Sequence, residues 1–388
     1  MSIILGILLT LLVLFIVVMV HEFWHFITAR LTKMKVEEFG IGIPPRAMKL
    51  FTDKKWTEFT LNWLPLGGFV RIFGEDPKNI DSNNEWAFIS KPLLSRILVL
   101  VAWVSMNFVL AFCIFTGLFL YGTSPIAIIP IQNSHSILLP STYEAIESGY
   151  LTHSGLILTS ISWSIAEKAW IGSGDLLISI NGILPISSQD VIDIITQNQI
   201  FDITIQWKEI KTLRIQPKDG KVWMVIRYNN LNINENKKIQ FHWYEAFLMG
   251  GKETIATTKI TFWFLVRIVN GIFSPKSNNE HEEAKSMLAG PIGLGWSFIS
   301  MVEQNASIGI ILVMIALLSI NLGVVNILPF PALDGWRIVT TILYSFFSRL
   351  PRGKIYFSQV ESMIHTIGII VLLILMLYIS WLDISRYF

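Results

Sequence analysis

The chain has 388 residues, of which 52% are hydrophobic and only 15% charged, and its formal net charge is +2. Soluble proteins carry roughly a quarter charged residues, so this balance excludes an ordinary cytosolic enzyme, and so small a net charge offers no general attraction for nucleic acid. The single cysteine, Cys113, excludes an intrachain disulfide and a cysteine-based metal cluster, which leaves His, Asp and Glu to hold any metal.

A helix needs about 20 apolar residues to cross the hydrocarbon layer. Four stretches qualify: Ile3 to Val20, Ile97 to Tyr121, Ile308 to Leu328 and Ile364 to Leu382. The first lacks a basic n-region and a small-residue cleavage site, so it reads as a span rather than a cleaved leader. His21-Glu22-Phe23-Trp24-His25 continues it with no helix breaker before it. Residues four apart stand one above the other on a helix, so His21 and His25 can reach one ion while Glu22 projects beside it. Zinc suits such a set, with three protein ligands and a fourth position for a water whose pKa it lowers. Glu22 is then the candidate general base and acid for peptide hydrolysis. The bland alternative is a pair of interfacial histidines with a salt-bridging Glu, but ionisable residues closing an apolar span are functional by default.

The connection Arg30 to Arg96 holds 11 Lys and Arg, and Arg337, Arg349, Arg352 and Lys354 follow the third span. The positive-inside rule puts these two connections in the cytoplasm, and four spans put both termini and the long insert on the opposite side. Within the first connection, Lys49 to Gly74 reads as a hairpin: Phe59 to Trp63, a Pro65-Leu66-Gly67-Gly68 turn, then Phe69 to Phe73. An exposed edge strand beside the metal could hold an unwound peptide through its backbone, and a plain structural hairpin is the alternative.

Gly122 to Ser307 contains 14 Lys and Arg and 16 Asp and Glu, a soluble composition. Its Ser154-Gly155-Leu156-Ile157, Gly172-Ser173-Gly174-Asp175 and Asn181-Gly182 segments, followed by a helix-like Gln189 to Thr196, resemble one PDZ domain. Trp243 to Phe273 reads as an amphipathic helix on the membrane surface, or else one packed on that domain. Ser274 to Ala284 reads as a solvated loop, and His281 beside Glu280, Glu282 and Glu283 as a charge run rather than a metal site. The third span ends in Asn326-Ile-Leu-Pro329-Phe-Pro331-Ala-Leu333-Asp334-Gly335, where two prolines break the helix. A bare Asp-Gly is usually a surface turn. Irregular backbone at membrane depth, the neighbouring asparagines and the unfilled ligand position make Asp334 a candidate third ligand instead.

The HExxH and N-x-x-P-x-P-x-L-D-G motifs together resemble the site-2 protease family of intramembrane zinc metalloproteases, in particular the group of bacterial sigma-E regulators. Pro65 to Arg71, Gly290-Pro291-Ile292 and Ser319 to Asn326 match that group as well, so the resemblance covers nearly the whole chain. It implies one catalytic Zn2+ on His21, His25 and Asp334, with Glu22 catalytic and with Asn321 and Asn326 handling the substrate helix. For the two asparagines, hydrogen bonding between spans is the alternative. Trp24 and Trp336 stand where Gly is usual, and one PDZ-like copy stands where the group has two.

The expected protein is therefore a mainly α-helical multi-pass membrane protein with four transmembrane helices, a membrane-associated β-hairpin and an inserted α+β PDZ-like domain. Its expected parts are residues 1–121 (HExxH span, hairpin and second span), 122–231 (PDZ-like), 232–307 (surface helix and connecting loop) and 308–388 (LDG motif and last span). The resemblance implies a protease of the bacterial inner membrane, its catalytic site towards the cytoplasm and its insert in the periplasm. It would cut single-pass transmembrane substrates such as anti-sigma factors or signal-peptide remnants, with membrane lipid and no nucleic acid as its other surroundings. Its rivals are another HExxH membrane metallopeptidase, of the prenyl-protein-processing type, and an inactive PDZ-bearing scaffold.

Overall fold

The structure, a computed structural model, describes residues 2–75, 84–126, 129, 134–185, 187–198, 200–206, 209–217, 222, 224–230, 232–234, 237–347 and 353–387. Arg349 and Arg352 of the basic connection lie outside the described residues, as does Leu231, the last residue of the expected PDZ-like part. The chain divides into two compact units, one made of Met1–Leu118 with Trp243–Phe388 and the other of Phe119–His242.

In the first unit, α1 (Ser2–Leu31) runs unbroken through the HExxH residues. At 1.5 Å per residue, His21 lies roughly 27 Å along the helix from Ile3, about the thickness of the hydrocarbon layer. Next come β1 (Val36–Thr52), β2 (Glu58–Ile72) and α2 (Leu93–Tyr121). After the second unit the chain continues as α6 (Trp243–Phe273), α7 (Asn278–Met287), α8 (Pro291–Glu303), α9 (Ile308–Asn326), α10 (Asp334–Phe347) and α11 (Gly353–Tyr387). Val13 and Val17 of α1 pack on Phe298 of α8 and Ile315 of α9. Gly6 permits the α1–α8 approach, because a Cβ there would lie 2.6 Å from the Ile299 backbone.

The expected hairpin is rearranged. The runs Glu58–Leu61 and Gly68–Arg71 do not pair with each other; both pair with Glu38–Ile41, which lies between them. Arg46–Thr52 adds to the outer side of Glu58–Asn62. Strand β1 carries charges at Glu37, Glu38, Arg46 and Lys49, which hide its strand character. Those charges are paired: Glu38, 4% exposed, meets Arg46 at 2.6 Å and Arg71 at 3.1 Å. Phe26, Val36, Phe39, Ile72 and Phe88 join α1 to this sheet through one buried cluster.

Among the described residues, five helices, α1, α2, α6, α9 and residues Val360–Arg386 of α11, are long and apolar enough to cross a membrane by length and composition. Four of them correspond to the expected spans, and the fifth is α6, expected on the membrane surface. Its small-residue stripe Ala246, Gly250, Thr254 and Thr257 is buried, and Gly250 sits so close to Thr116 of α2 that a Cβ would come within 2.2 Å of its hydroxyl. Stripes of small residues are how apolar helices approach one another in lipid. The expected loop Ser274 to Ala284 is largely helix: Ser277 caps α7 by accepting from the Glu280 N–H at 3.2 Å, an S-x-x-E start signal. Helix α8 begins at Pro291, where buried Asp383 of α11 accepts from the Gly290 and Gly293 N–H groups at 2.9 and 2.8 Å.

The second unit contains α3 (Thr142–Glu147), β3 (Leu151–Thr152), β4 (Leu156–Ser160), α4 (Ile165–Lys168), β5 (Asp175–Ile180) and α5 (Ser188–Gln197), then β6 (Phe201–Gln206), β7 (Ile210–Ile215), β8 (Met224–Tyr228) and β9 (Asn232–Ile233). Five of its strands form an antiparallel sheet in the order β7-β6-β5-β4-β8. Val191 and Ile195 of α5 complete a core with Leu156, Leu177, Phe201 and Ile203. Asn181 and Gly182 both take positive φ, 51° and 78°, and so form the tight two-residue turn that Asn-Gly favours.

Candidate active site

The metal-ligating candidates come from two backbone segments. The four-residue spacing on α1 stacks the two imidazoles, with His25 Nε2 2.9 Å from His21 Nε2, and both residues are only 5% exposed. Asp334 arrives from a different direction. Helix α9 stops at Asn326, and the chain then turns through Pro329, Pro331 and Ala332, the last with φ 81°. It re-enters helix at Asp334, the first residue of α10, whose Oδ2 lies 3.2 Å from His21 Nε2. One donor atom from each of His21, His25 and Asp334 lies within 4.8 Å of the other two.

Two things hold Asp334 there. Gly335 lies so near the end of α9 that a Cβ would come 2.3 Å from the Leu328 carbonyl oxygen and 2.4 Å from that of Ile327. Gly368 of α11 lies equally near the proline loop, where a Cβ would come 2.5 Å from the Pro331 oxygen. The donor set fits zinc, which takes imidazole nitrogen and carboxylate oxygen at about 2.0–2.2 Å. Three donors within such a span can close on one ion through small side-chain rotations, and three leave a position open.

Glu22 is half-buried on α1 between the two histidines. The Gly68–Arg71 run passes alongside it: a Cβ at Gly68 would lie 3.3 Å from Glu22 Cγ and 3.2 Å from Met19 Sδ. That run is the outermost of its sheet on this side, with no further strand paired to it among the described residues. One turn beyond Asp334, Arg337 reaches Glu75 at 2.5 Å. Arg71, Glu75 and Arg337 line a cavity together with Phe73, Glu361 and His365, among others.

Asn321 and Asn326 do not share a face of α9. Five residues at 100° each put them about 140° apart, with Asn321 exposed and Asn326 half-buried. Asn326 lies on the side of Ser319 and Gly323, the side that packs on α2. Trp24 and Trp336 are half-buried, and neither offers a donor atom to the cluster.

A further polar residue sits against the cluster. Fully buried Asn107 of α2 has its side-chain nitrogen 3.2 Å from His21 Nδ1, and the Ser319 hydroxyl donates to the Asn107 backbone oxygen at 2.9 Å. An asparagine inside an apolar span signals function in the sequence. Its partner, 86 residues away, does not.

Comparison with known proteins shows the family. The family described as Peptidase family M50 matches residues 9–375. Regulator of sigma-W protease RasP of Bacillus subtilis is 27% identical over 456 residues, covering 95% of this chain and 95% of that protein. Zinc metalloprotease RasP of Bacillus licheniformis is 27% identical over 431 residues, covering 95% of this chain and 96% of its own. Because the family match runs from the first span to the last and takes in every residue of the cluster, the chain belongs to peptidase family M50 and is a zinc metalloprotease of the membrane.

Proposed function

We propose that this protease hydrolyses peptide bonds within or near the transmembrane segments of single-pass membrane proteins, with His21, His25 and Asp334 as zinc ligands and Glu22 as the catalytic acid and base. The carrying observation is the convergence of three donor atoms within 4.8 Å towards the C-terminal end of an apolar helix. A bound zinc would acidify a water molecule and polarise the scissile carbonyl. Glu22 takes the proton of the attacking water and delivers it to the departing amide nitrogen, so the two halves leave as a carboxylate and an amine.

A helical carbonyl is already hydrogen-bonded and screened by side chains, so the substrate has to unwind before it can react. The Gly68–Arg71 run beside Glu22 supports a route for this, since an extended segment can pair with an exposed strand edge through its backbone whatever its sequence. The exposed amide of Asn321 suits a hydrogen bond to peptide groups freed by unwinding. For Asn326, on the packed side of α9, its position supports the alternative reading, hydrogen bonding between spans.

The basic residues that follow α1 support a catalytic site facing the cytoplasm, with the 122–231 part on the other side of the membrane. We read that part as PDZ-like, supported by its five-stranded antiparallel sheet and by α5 packed into the core. The remaining parts are then 1–121, 232–307 and 308–388. The name of the Bacillus subtilis relative, a regulator of sigma-W, supports a role in regulating a sigma factor; the substrates we propose are anti-sigma factors and remnant signal peptides, both single-span segments.

The test compares purified wild type with Glu22→Gln on a transmembrane peptide reporter, measuring bound zinc in both. Zinc retained with cleavage lost is the expected result. Unchanged cleavage removes Glu22 from the mechanism.

A further inference from the structure

We propose that Asn107 is a positioning residue for the metal ligand His21: its amide oxygen accepts the Nδ1 proton of His21, and Ser319 holds the amide in that orientation. The inference deepens the reading above and rests on His21 being a ligand. Three observations carry it. Asn107 and Ser319 are both fully buried and His21 is 5% exposed, so each polar atom must find its partner within the protein. The Asn107 side chain is the group facing Nδ1, at 3.2 Å, while Nε2 faces His25 and Asp334. Ser319 touches both ends of Asn107, donating to its backbone oxygen at 2.9 Å and lying 3.5 Å from the far end of its amide.

The chemistry selects one orientation of the amide. A neutral imidazole has one N–H and one lone pair. If Nε2 gives its lone pair to a cation, the proton is on Nδ1, and whatever faces Nδ1 must be an acceptor. Amide nitrogen against Nδ1 would force the proton onto Nε2, where it would point at the Asp334 carboxylate and block ligation. The two ends of an asparagine amide are nearly isosteric and exchange by a half-turn about χ2. After that turn the oxygen faces Nδ1 and the NH2 faces Ser319 Oγ. The Ser319 proton is already committed to the Asn107 carbonyl, so its hydroxyl oxygen is free to accept. Every group in the triad is then satisfied, and the imidazole is held with its Nε2 lone pair towards the ligand cluster. Gly323, one turn beyond Ser319, permits the close approach: a Cβ there would lie 3.2 Å from Asn107 Cβ and 3.0 Å from the Phe108 ring.

The experiment uses the full-length protein in detergent, stripped of metal, with zinc affinity measured by competition against a chromogenic chelator. Loss of a hydrogen-bond partner behind a metal-bound histidine weakens metal binding by about 10–100-fold. Asn107→Leu, similar in size, should show that loss while the zinc-free protein still unfolds cooperatively. Asn107→Asp, which keeps an acceptor and strengthens it, should bind within a few-fold of wild type, and Ser319→Ala should fall between the two. Wild-type affinity in a folded Asn107→Leu overturns the proposal, as does an Asn107→Asp variant no better than Asn107→Leu. A second readout does not depend on the leucine variant folding. In the 15N-histidine-labelled, zinc-loaded protein, the Nδ1 proton resonance absent from His21→Gln should move downfield in Asn107→Asp, and an unmoved resonance overturns the proposal. His21→Ala separates the two levels. If it binds zinc like wild type, the ligand reading fails and takes this inference with it; if it loses zinc while Asn107→Leu does not, only the role of Asn107 fails.

Discussion

Replacing Gly335 by alanine adds one methyl group at the point where α10 leaves the end of α9. That methyl would lie 2.3 Å from the Leu328 oxygen, 2.4 Å from the Ile327 oxygen and 2.6 Å from the Ile327 carbonyl carbon, against ordinary contacts of 3.4 Å and more. The shortfall is roughly 1 Å, and the obstacle is backbone, which cannot rotate away as a side chain can. Forcing extra volume into such a contact costs about 1–3 kcal/mol. Relief requires the first turn of α10 to move, and Asp334 is the residue next to the change. With zinc–oxygen bonds of about 2.0–2.2 Å, a displacement near 1 Å takes the carboxylate out of coordination range. Misplacement on that scale lowers turnover on the order of 100-fold. We expect Gly335→Ala to weaken zinc binding at least about tenfold and to cut reporter cleavage about 100-fold, with the circular dichroism of the helices preserved. Gly295→Ala on α8, where a Cβ meets nothing within 4 Å, is the matched control and should change neither. Wild-type zinc affinity and cleavage in Gly335→Ala would refute the reasoning, since Asp334 would then not depend on the tight α9–α10 junction.

Two further outcomes follow from contacts around the site. Gly368→Val should push α11 away from the Pro331 loop, where even a Cβ comes within 2.5 Å, and slow reporter cleavage while leaving α1 and its histidines in place; unchanged cleavage would show that the loop tolerates the shift. Asp53 ties the β1–β2 turn to the end of α1. Burial raises its pKa, but hydrogen bonds from Arg30 and from the Thr57 and Lys55 N–H groups outweigh that and hold the carboxyl below its usual 3.8. A carboxyl depressed in the folded state stabilises it fully above the unfolded value and loses that stabilisation as pH falls through the folded value. Pepsin cleavage at residues 53–57 should therefore rise as pH falls below about 4 in wild type, while Asp53→Asn should be cut readily throughout; identical profiles would remove this tie.

Much of the candidate site's geometry was legible because it is local. His21, Glu22 and His25 need only one uninterrupted helix to stand together, and the apolar run before them provides it. The break after Asn326 was legible for the same reason, since two prolines in three positions cannot continue a helix. Strand β1 was not, because its charged residues hide the alternation until Glu38 is seen to be paired with Arg46 and Arg71. Likewise the polar Asn278–Met287 stretch reads as loop by composition, yet its cap starts a helix.

What the sequence by itself determined is the solvent and the chemistry: runs almost without charge require lipid, and an HExxH at the end of one of them calls for a metal. Asp334, too, was named from the sequence as a candidate ligand, but only the tertiary structure decided how the distant candidates stand to one another. It brought Asp334 to within 3.2 Å of His21 through a glycine-tight junction, set Asn107 behind the same imidazole, and turned Asn321 and Asn326 to different sides of α9. The physical reason is range. Periodicity and propensity act over a helical turn or two, whereas a coordination site depends on distances between backbones hundreds of residues apart, which are set by where small residues let helices close up.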